Sequence, residues 1–357
     1  MLLFLGILLL LCLWGIKFSG FREDYISKEQ SGSFKGIFAM MIFLSHIRSF
    51  VSAQLPGDQL YSAVFTLLGQ MTVVMFFFYS GYGIMESIKR KPGYMNGFFK
   101  NRIVKLVLDY NIVSLAYMLY RTCTGTFFSW DRYLLSWCGW ETVADVNARG
   151  NWFMFVILQL YLITLLMSFL LQRVFRQDGK KYQYLLTVTV MILSVGLMYL
   201  LHCSGRGEYW YNTLFVYSFG MLYAVLRQHI EKAMRKTGFY LAALAAVCAG
   251  VGVILVMDLK DVVSYSVMGC LFASFLTLIS MHVRIQNPVL IWLGKLCFSI
   301  YILQKASMVV FRDLGLSSNP ILYGGLCIAV TLLLSQFHYT VAGKVSGALL
   351  KKRKQKV

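Results

Sequence analysis

Long apolar runs recur along this chain, at about residues 2–17, 36–54, 64–85, 103–121, 151–172, 183–202, 210–226, 238–257, 262–280, 289–311 and 321–341. A helix needs roughly 20 mostly apolar residues to cross about 30 Å of hydrocarbon, and most of these runs have that length. They are continuous rather than alternating, which argues against barrel strands of about 10 residues. Of 357 residues, 58% are apolar and 14% charged. A soluble core cannot hide that much apolar surface, and a disordered chain would be poor in it. The reading is an all-α, polytopic integral membrane protein with about eleven transmembrane helices. The first run has no basic residue ahead of it, since Lys17 is the earliest, and no small-residue cleavage site follows. It reads as a retained helix rather than a signal peptide.

Lys and Arg outnumber Asp and Glu by 34 to 15, a net charge of +19. Such a balance raises nucleic acid as a partner unless the charges have another reason to cluster. Residues 86–102 carry Lys89, Arg90, Lys91, Lys100 and Arg102, so they are assigned to the cytoplasm. Alternation then puts 17–35, 86–105, 173–182, 227–237, 281–288 and the chain from 342 on the same side. The whole positive excess falls on these segments, and the outer segments are neutral. Charge therefore reports orientation, with the N-terminus outside and the basic C-terminus inside, and no nucleic-acid partner is called for. Lys351-Lys352-Arg353-Lys354 reads as an anchor beside anionic lipid headgroups.

None of the eight cysteines forms a C-x-x-C pair, and no metal-binding or nucleotide-binding motif occurs, so no metal is expected. Cys123 and Cys138 share the outer loop 122–150, and a disulfide between them is left open. Ionisable groups inside spans are costly and so are candidates for function. Lys35 and His46 lie on one helix, eleven residues apart. That spacing returns to within roughly 20° of the same face and sets His46 roughly 16 Å deeper. A rim cation can hold an anion, and an imidazole can take a proton from a hydroxyl. A histidine that merely bonds a neighbouring helix remains the other reading. Arg102, Lys105 and Asp109 follow at i, i+3 and i+4 spacing, either as a phosphate clamp or as snorkelling charges, with Asp109 paired to Lys105. Arg48 points away from His46. His202, His229, His282 and His338 read as loop or boundary residues without a special role.

In order along the chain, these residues resemble the membrane acyltransferase 3 family, the multi-span O-acyltransferases of bacterial surface polysaccharides. Lys35 to His46 resembles its Arg-x10-His. Phe77-Phe78-Tyr79-Ser80-Gly81-Tyr82 resembles its Phe-Phe-x-Ser-Gly-Tyr/Phe element, and Arg102-Ile103-Val104-Lys105 its Arg-x-x-Arg. Trp152-Phe153 resembles its Trp-Phe helix opening, and Ser299-Ile300-Tyr301-Ile302-Leu303-Gln304 its Ser-x-Tyr-x-x-His. Lys35 and Lys105 stand where Arg is usual, which keeps charge but loses bidentate geometry. Gln304 stands where His is common.

The resemblance implies about ten family-like helices plus the extra one at 2–17. It divides the chain into an added helix and linker (1–30), an acyltransferase-like membrane domain (31–342) and a basic cytoplasmic tail (343–357). It implies a cell-membrane enzyme that moves an acyl group, acetyl being common among relatives, from acyl-CoA to a hydroxyl of an envelope or lipid-linked glycan. Lys35, Arg102 and Lys105 would hold the CoA phosphates, and His46 would be the catalytic base. Ser80, Tyr82, Asp109, Trp152, Tyr301 and Gln304 are the candidate substrate contacts. Two other readings are a flippase for lipid-linked sugars and a glycan polymerase using Arg132 and Arg149 of the outer loop.

Overall fold

Helices form along the apolar runs, and short polar or glycine residues set their ends. The computed structural model describes residues 1–51, 57–123, 125, 129–141, 151–175 and 179–350. Its helices are α1 (Leu2–Leu13), α2 (Lys28–Ile47), α3 (Asp58–Leu68), α4 (Met71–Arg90), α5 (Lys105–Cys123), α6 (Trp130–Trp137) and α7 (Trp152–Gln172). They continue as α8 (Lys180–Cys203), α9 (Phe215–Met234), α10 (Thr237–Val256), α11 (Val262–Ser280), α12 (Pro288–Asp313) and α13 (Pro320–Leu350). Arg149 and the tail from Lys351 to Lys354 lie outside the described residues.

Ser27 caps α2 by accepting the Gln30 backbone N–H at 3.2 Å, and Asn287 caps α12 by accepting that of Leu290 at 2.9 Å. Pro288 sits at the first turn of α12, where its missing N–H has no cost. The Asn287 amide also donates to the carbonyls of Leu11 (2.8 Å) and Trp14 (3.2 Å), which fastens the end of α1 to the start of α12. The expected third span, 64–85, is two helices. Gly69 has φ 45° and ψ −123°, a conformation that breaks the helix between α3 and α4.

The fold is all-α and polytopic. Among the described residues, eight helical segments are long and apolar enough to cross a membrane, and α1 is a shorter apolar helix. α2 and α9 have the length but carry charge within it. α10 buries none of its side chains, as a lipid-facing helix can.

Segments far apart in sequence meet at each end of the helices. Lys17-Phe18 (β1) and Val283-Arg284 (β2) form a two-residue antiparallel pair, and Arg235 bonds Glu23 at 2.6 Å. At the opposite end the N-terminal amino group approaches Asp58 at 3.5 Å. The first of these is called the basic end below.

Glycines let the central helices touch. α2 packs most extensively on α12, and α4 on α9. A Cβ on Gly294 would lie 1.9 Å from the Gly32 carbonyl oxygen, and one on Gly81 would lie 1.9 Å from that of Tyr217. Such contacts suit helices packed where apolar surroundings give no hydrophobic drive. Polar pairs close the interior: Tyr25 with Tyr223 (2.7 Å), Thr164 with Tyr217 (2.8 Å) and Ser307 with Thr331 (2.7 Å). Cys123 and Cys138 are free thiols, so the open question of their pairing is answered by separate side chains.

Candidate functional site

The basic ends of α2, α4, α5, α12 and α13 do not close on one another. They surround a cavity of about 1300 Å³ that reaches inward to Phe76, Phe153 and Ile157. Ligand pockets run to about 1,000 Å³, so this one has room for a ligand of nucleotide-thioester size. Its walls carry Lys35, Arg102 and Lys105, the three cations singled out from the sequence, together with Ser80, Tyr82 and Asp109.

These side chains are held differently. Lys105 pairs with Asp109 one turn further along α5, as the i, i+4 spacing predicts. The other Asp109 oxygen accepts the Ser346 hydroxyl at 2.8 Å. Arg102 comes from a π-helical turn, Phe99–Val104, that leads into α5, and it donates to the Tyr94 hydroxyl at 3.1 Å. Lys35 lies over the Tyr79 ring, 5.6 Å from its centroid. Neither Lys35 nor Arg102 has a carboxylate partner among the described residues, and the Arg102 charge acts on Lys35. Two uncompensated cations on one wall repel each other unless an anion lies between them.

Sequence reasoning missed three parts of this cavity. Arg227 on α9 bonds Glu231 (2.6 Å) and donates to the Tyr82 hydroxyl (2.8 Å) and the Glu23 carbonyl (3.2 Å). It thereby knots the segment leading into α2 to α4 and α9 at the mouth. Tyr161 shares a 2.7 Å hydrogen bond with Ser80. His338 is no boundary residue, because α13 runs on to Leu350 and leaves it mid-helix, buried and on the cavity wall. The polar run Ser335, Gln336, His338, Thr340 inside an apolar helix was the available signal.

The remaining candidates lie off the cavity. His46 sits beside Gln304 and Lys305 at the far end of the α2–α12 contact. Its Nδ1 and the Gln304 Oε1 are both shielded and without a hydrogen-bond partner. The Gln304 amide donates to the Tyr301 carbonyl at 3.0 Å. The Tyr301 ring meets Phe153, a cavity-floor residue, at 5.6 Å between centroids, and Trp152 meets Phe77 and Tyr209 at 6.3 Å each. Phe153 borders the cation-lined cavity, whereas His46, Trp152, Tyr301 and Gln304 do not. Arg48 donates to the Ser62 carbonyl at 3.3 Å, away from both. Among the described residues no group of three or more His, Cys, Asp or Glu is gathered that could hold a metal ion.

The arrangement offers three cations and several hydroxyls on one cavity wall, and an imidazole that lies off the cavity. Compared with known sequences, residues 33–340 match the model of a family described as an acyltransferase domain. No curated protein and no solved structure matches.

Proposed function

The chain belongs to the membrane acyltransferase 3 family, and on that premise we propose that it transfers an acetyl group from cytoplasmic acetyl-CoA to a hydroxyl of an envelope glycan. The basic end faces the cytoplasm of a bacterial cell, and the N-terminus faces out. Lys35, Arg102 and Lys105 hold the phosphates of the donor at the cavity wall. Ser80, Tyr82 and Asp109 line the path of its thioester arm. Trp152, Tyr301 and Gln304 frame the acceptor on the far side, where His46 takes the proton from the attacking hydroxyl. Gln304, beside His46, exchanges no proton. The observation that carries the reading is the pair of cations, Lys35 and Arg102, left without a carboxylate on the wall of a cavity large enough for CoA. Lys35 is half-buried and Arg102 exposed; a half-buried charge is retained at a cost, and an anionic ligand supplies the counter-charge that no carboxylate gives.

The test uses the detergent-purified chain. Acetyl-CoA raises its melting temperature and, with acceptor present, releases free CoA. His46→Ala keeps the stabilisation and loses transfer at equal protein level. A chain that neither binds nor consumes CoA thioesters contradicts the reading, and unchanged transfer by His46→Ala contradicts the assigned base.

A further inference from the structure

One wall of the cavity carries a group that the scheme above does not use. Ser299 on α12 and His338 on α13 are both buried, at 3% and 5% exposure, and both border the cavity. The Ser299 hydroxyl lies 2.8 Å from His338 Nδ1. His338 Nε2 lies 2.9 Å from the backbone carbonyl oxygen of Asp109 on α5. A carbonyl can only accept, so Nε2 carries the proton and donates it. That fixes the tautomer: Nδ1 is bare, and the Ser299 O–H must donate to it. A hydroxyl donating to an imidazole whose other nitrogen is held by an acceptor is the arrangement that activates serine nucleophiles. A bond meant only to tie helices together needs neither a cavity-facing position nor a fixed tautomer.

We propose that Ser299, with His338 as its base, receives the acyl group as a covalent ester before it passes to the acceptor. The inference rests on the acyl-CoA reading and deepens it. The Ser299 proton moves to His338 Nδ1 while Oγ attacks the thioester carbonyl. The C–S bond breaks, and the departing sulfur takes the proton back from Nδ1 and leaves as the CoA thiol. Acyl-Ser299 remains. Gln304, beside His46, is five residues further along α12, about 7.5 Å of helix rise. The acceptor hydroxyl gives its proton to His46, its oxygen attacks the ester carbon, and the C–Oγ bond breaks. Oγ is reprotonated from solvent reaching the cavity, and His46 returns its proton to solvent. No electrons change hands. The two histidines divide the work, His338 serving the donor half and His46 the acceptor half.

The experiment incubates the purified full-length chain with radiolabelled acetyl-CoA without acceptor, then denatures it and maps retained label by mass spectrometry. Expected is label on the peptide carrying Ser299, resistant to neutral hydroxylamine and released at alkaline pH, as an oxygen ester behaves. Ser299→Ala and His338→Ala lose the label at wild-type melting temperature. His46→Ala keeps and accumulates it. Ser299→Cys, which preserves a nucleophile of similar size, carries label that neutral hydroxylamine now releases, because the bond has become a thioester. Label that survives Ser299→Ala, or an unlabelled wild type that still acylates acceptor at full rate, overturns the covalent station and leaves the acyl-CoA reading intact. A wild type that releases no CoA with acceptor present overturns both.

Discussion

Replacing Gly294 with Ala tests whether the α2–α12 crossing positions the site. An added Cβ would stand 1.9 Å from the Gly32 carbonyl oxygen, 2.7 Å from its carbon and 3.1 Å from its Cα. All three atoms are backbone of α2, so no side chain can swing aside. Restoring an ordinary carbon–oxygen contact of roughly 3.2 Å or more requires the helices to part by about 1.3 Å. Close-packed interiors resist this, and overpacking of such a kind costs about 1–3 kcal/mol. The same movement carries Lys35 and His46 away from Cys297, Ser299 and Gln304, which sit on α12. A displacement of about 1 Å at a reacting centre costs on the order of 100-fold in rate. The detergent-solubilised variant is therefore expected to melt below wild type and to transfer acyl groups about 100-fold more slowly. Gly325→Ala is the control: it sits in α13 with nothing within 4 Å of the added Cβ, and it should be neutral or mildly stabilising. A Gly294→Ala protein with wild-type melting and turnover would refute the claim that this crossing sets the site's geometry.

Two further outcomes are expected. Arg102→Ala removes a charge-assisted contact worth about 1.5–3 kcal/mol and should weaken acetyl-CoA binding roughly 10- to 150-fold, more at low salt than at high, with Lys35→Ala acting alike and Lys35→Arg retaining binding, as read by calorimetric titration; affinity independent of both side chains and of salt would show that phosphates bind elsewhere. Arg227→Ala frees Glu231 and the Tyr82 hydroxyl from their shared partner, so proteolysis at the basic ends of α2, α4 and α9 should quicken, and an unchanged cleavage rate would mean the knot at the mouth does not hold those ends together.

Periodicity and charge revealed most of the fold, because a membrane span must satisfy its own backbone and shows as one long apolar run. They failed where local geometry overrode hydropathy. The apolar run 64–85 continues through Gly69, but the backbone turns there, and no composition window registers a single positive φ. The run 321–341 ends in hydropathy before the helix does, which turned the mid-helix His338 into an apparent boundary residue. In the site, i, i+4 spacing foretold the Lys105–Asp109 pair because both partners share one helix. The meeting of Lys35 with Arg102 followed from the family resemblance. Arg227, Tyr161 and the Ser299–His338 pair depend on helices distant in sequence, and one chain without relatives aligned to it holds no trace of which faces meet. The separation of His46 from the cation-lined cavity was equally hidden. The spacing from Lys35 placed both on one face of α2, but which of them borders the cavity depends on the other helices that wall it.

The central claim is that this chain adds an acyl group to an envelope glycan. Mass spectrometry of surface glycans from otherwise identical cells, with the chain and without it, reads that claim directly. The account predicts that the glycan from cells carrying the chain is heavier by whole acetyl groups, lost on mild alkaline treatment and absent with His46→Ala. Glycans of identical mass in the presence and absence of the chain would contradict it.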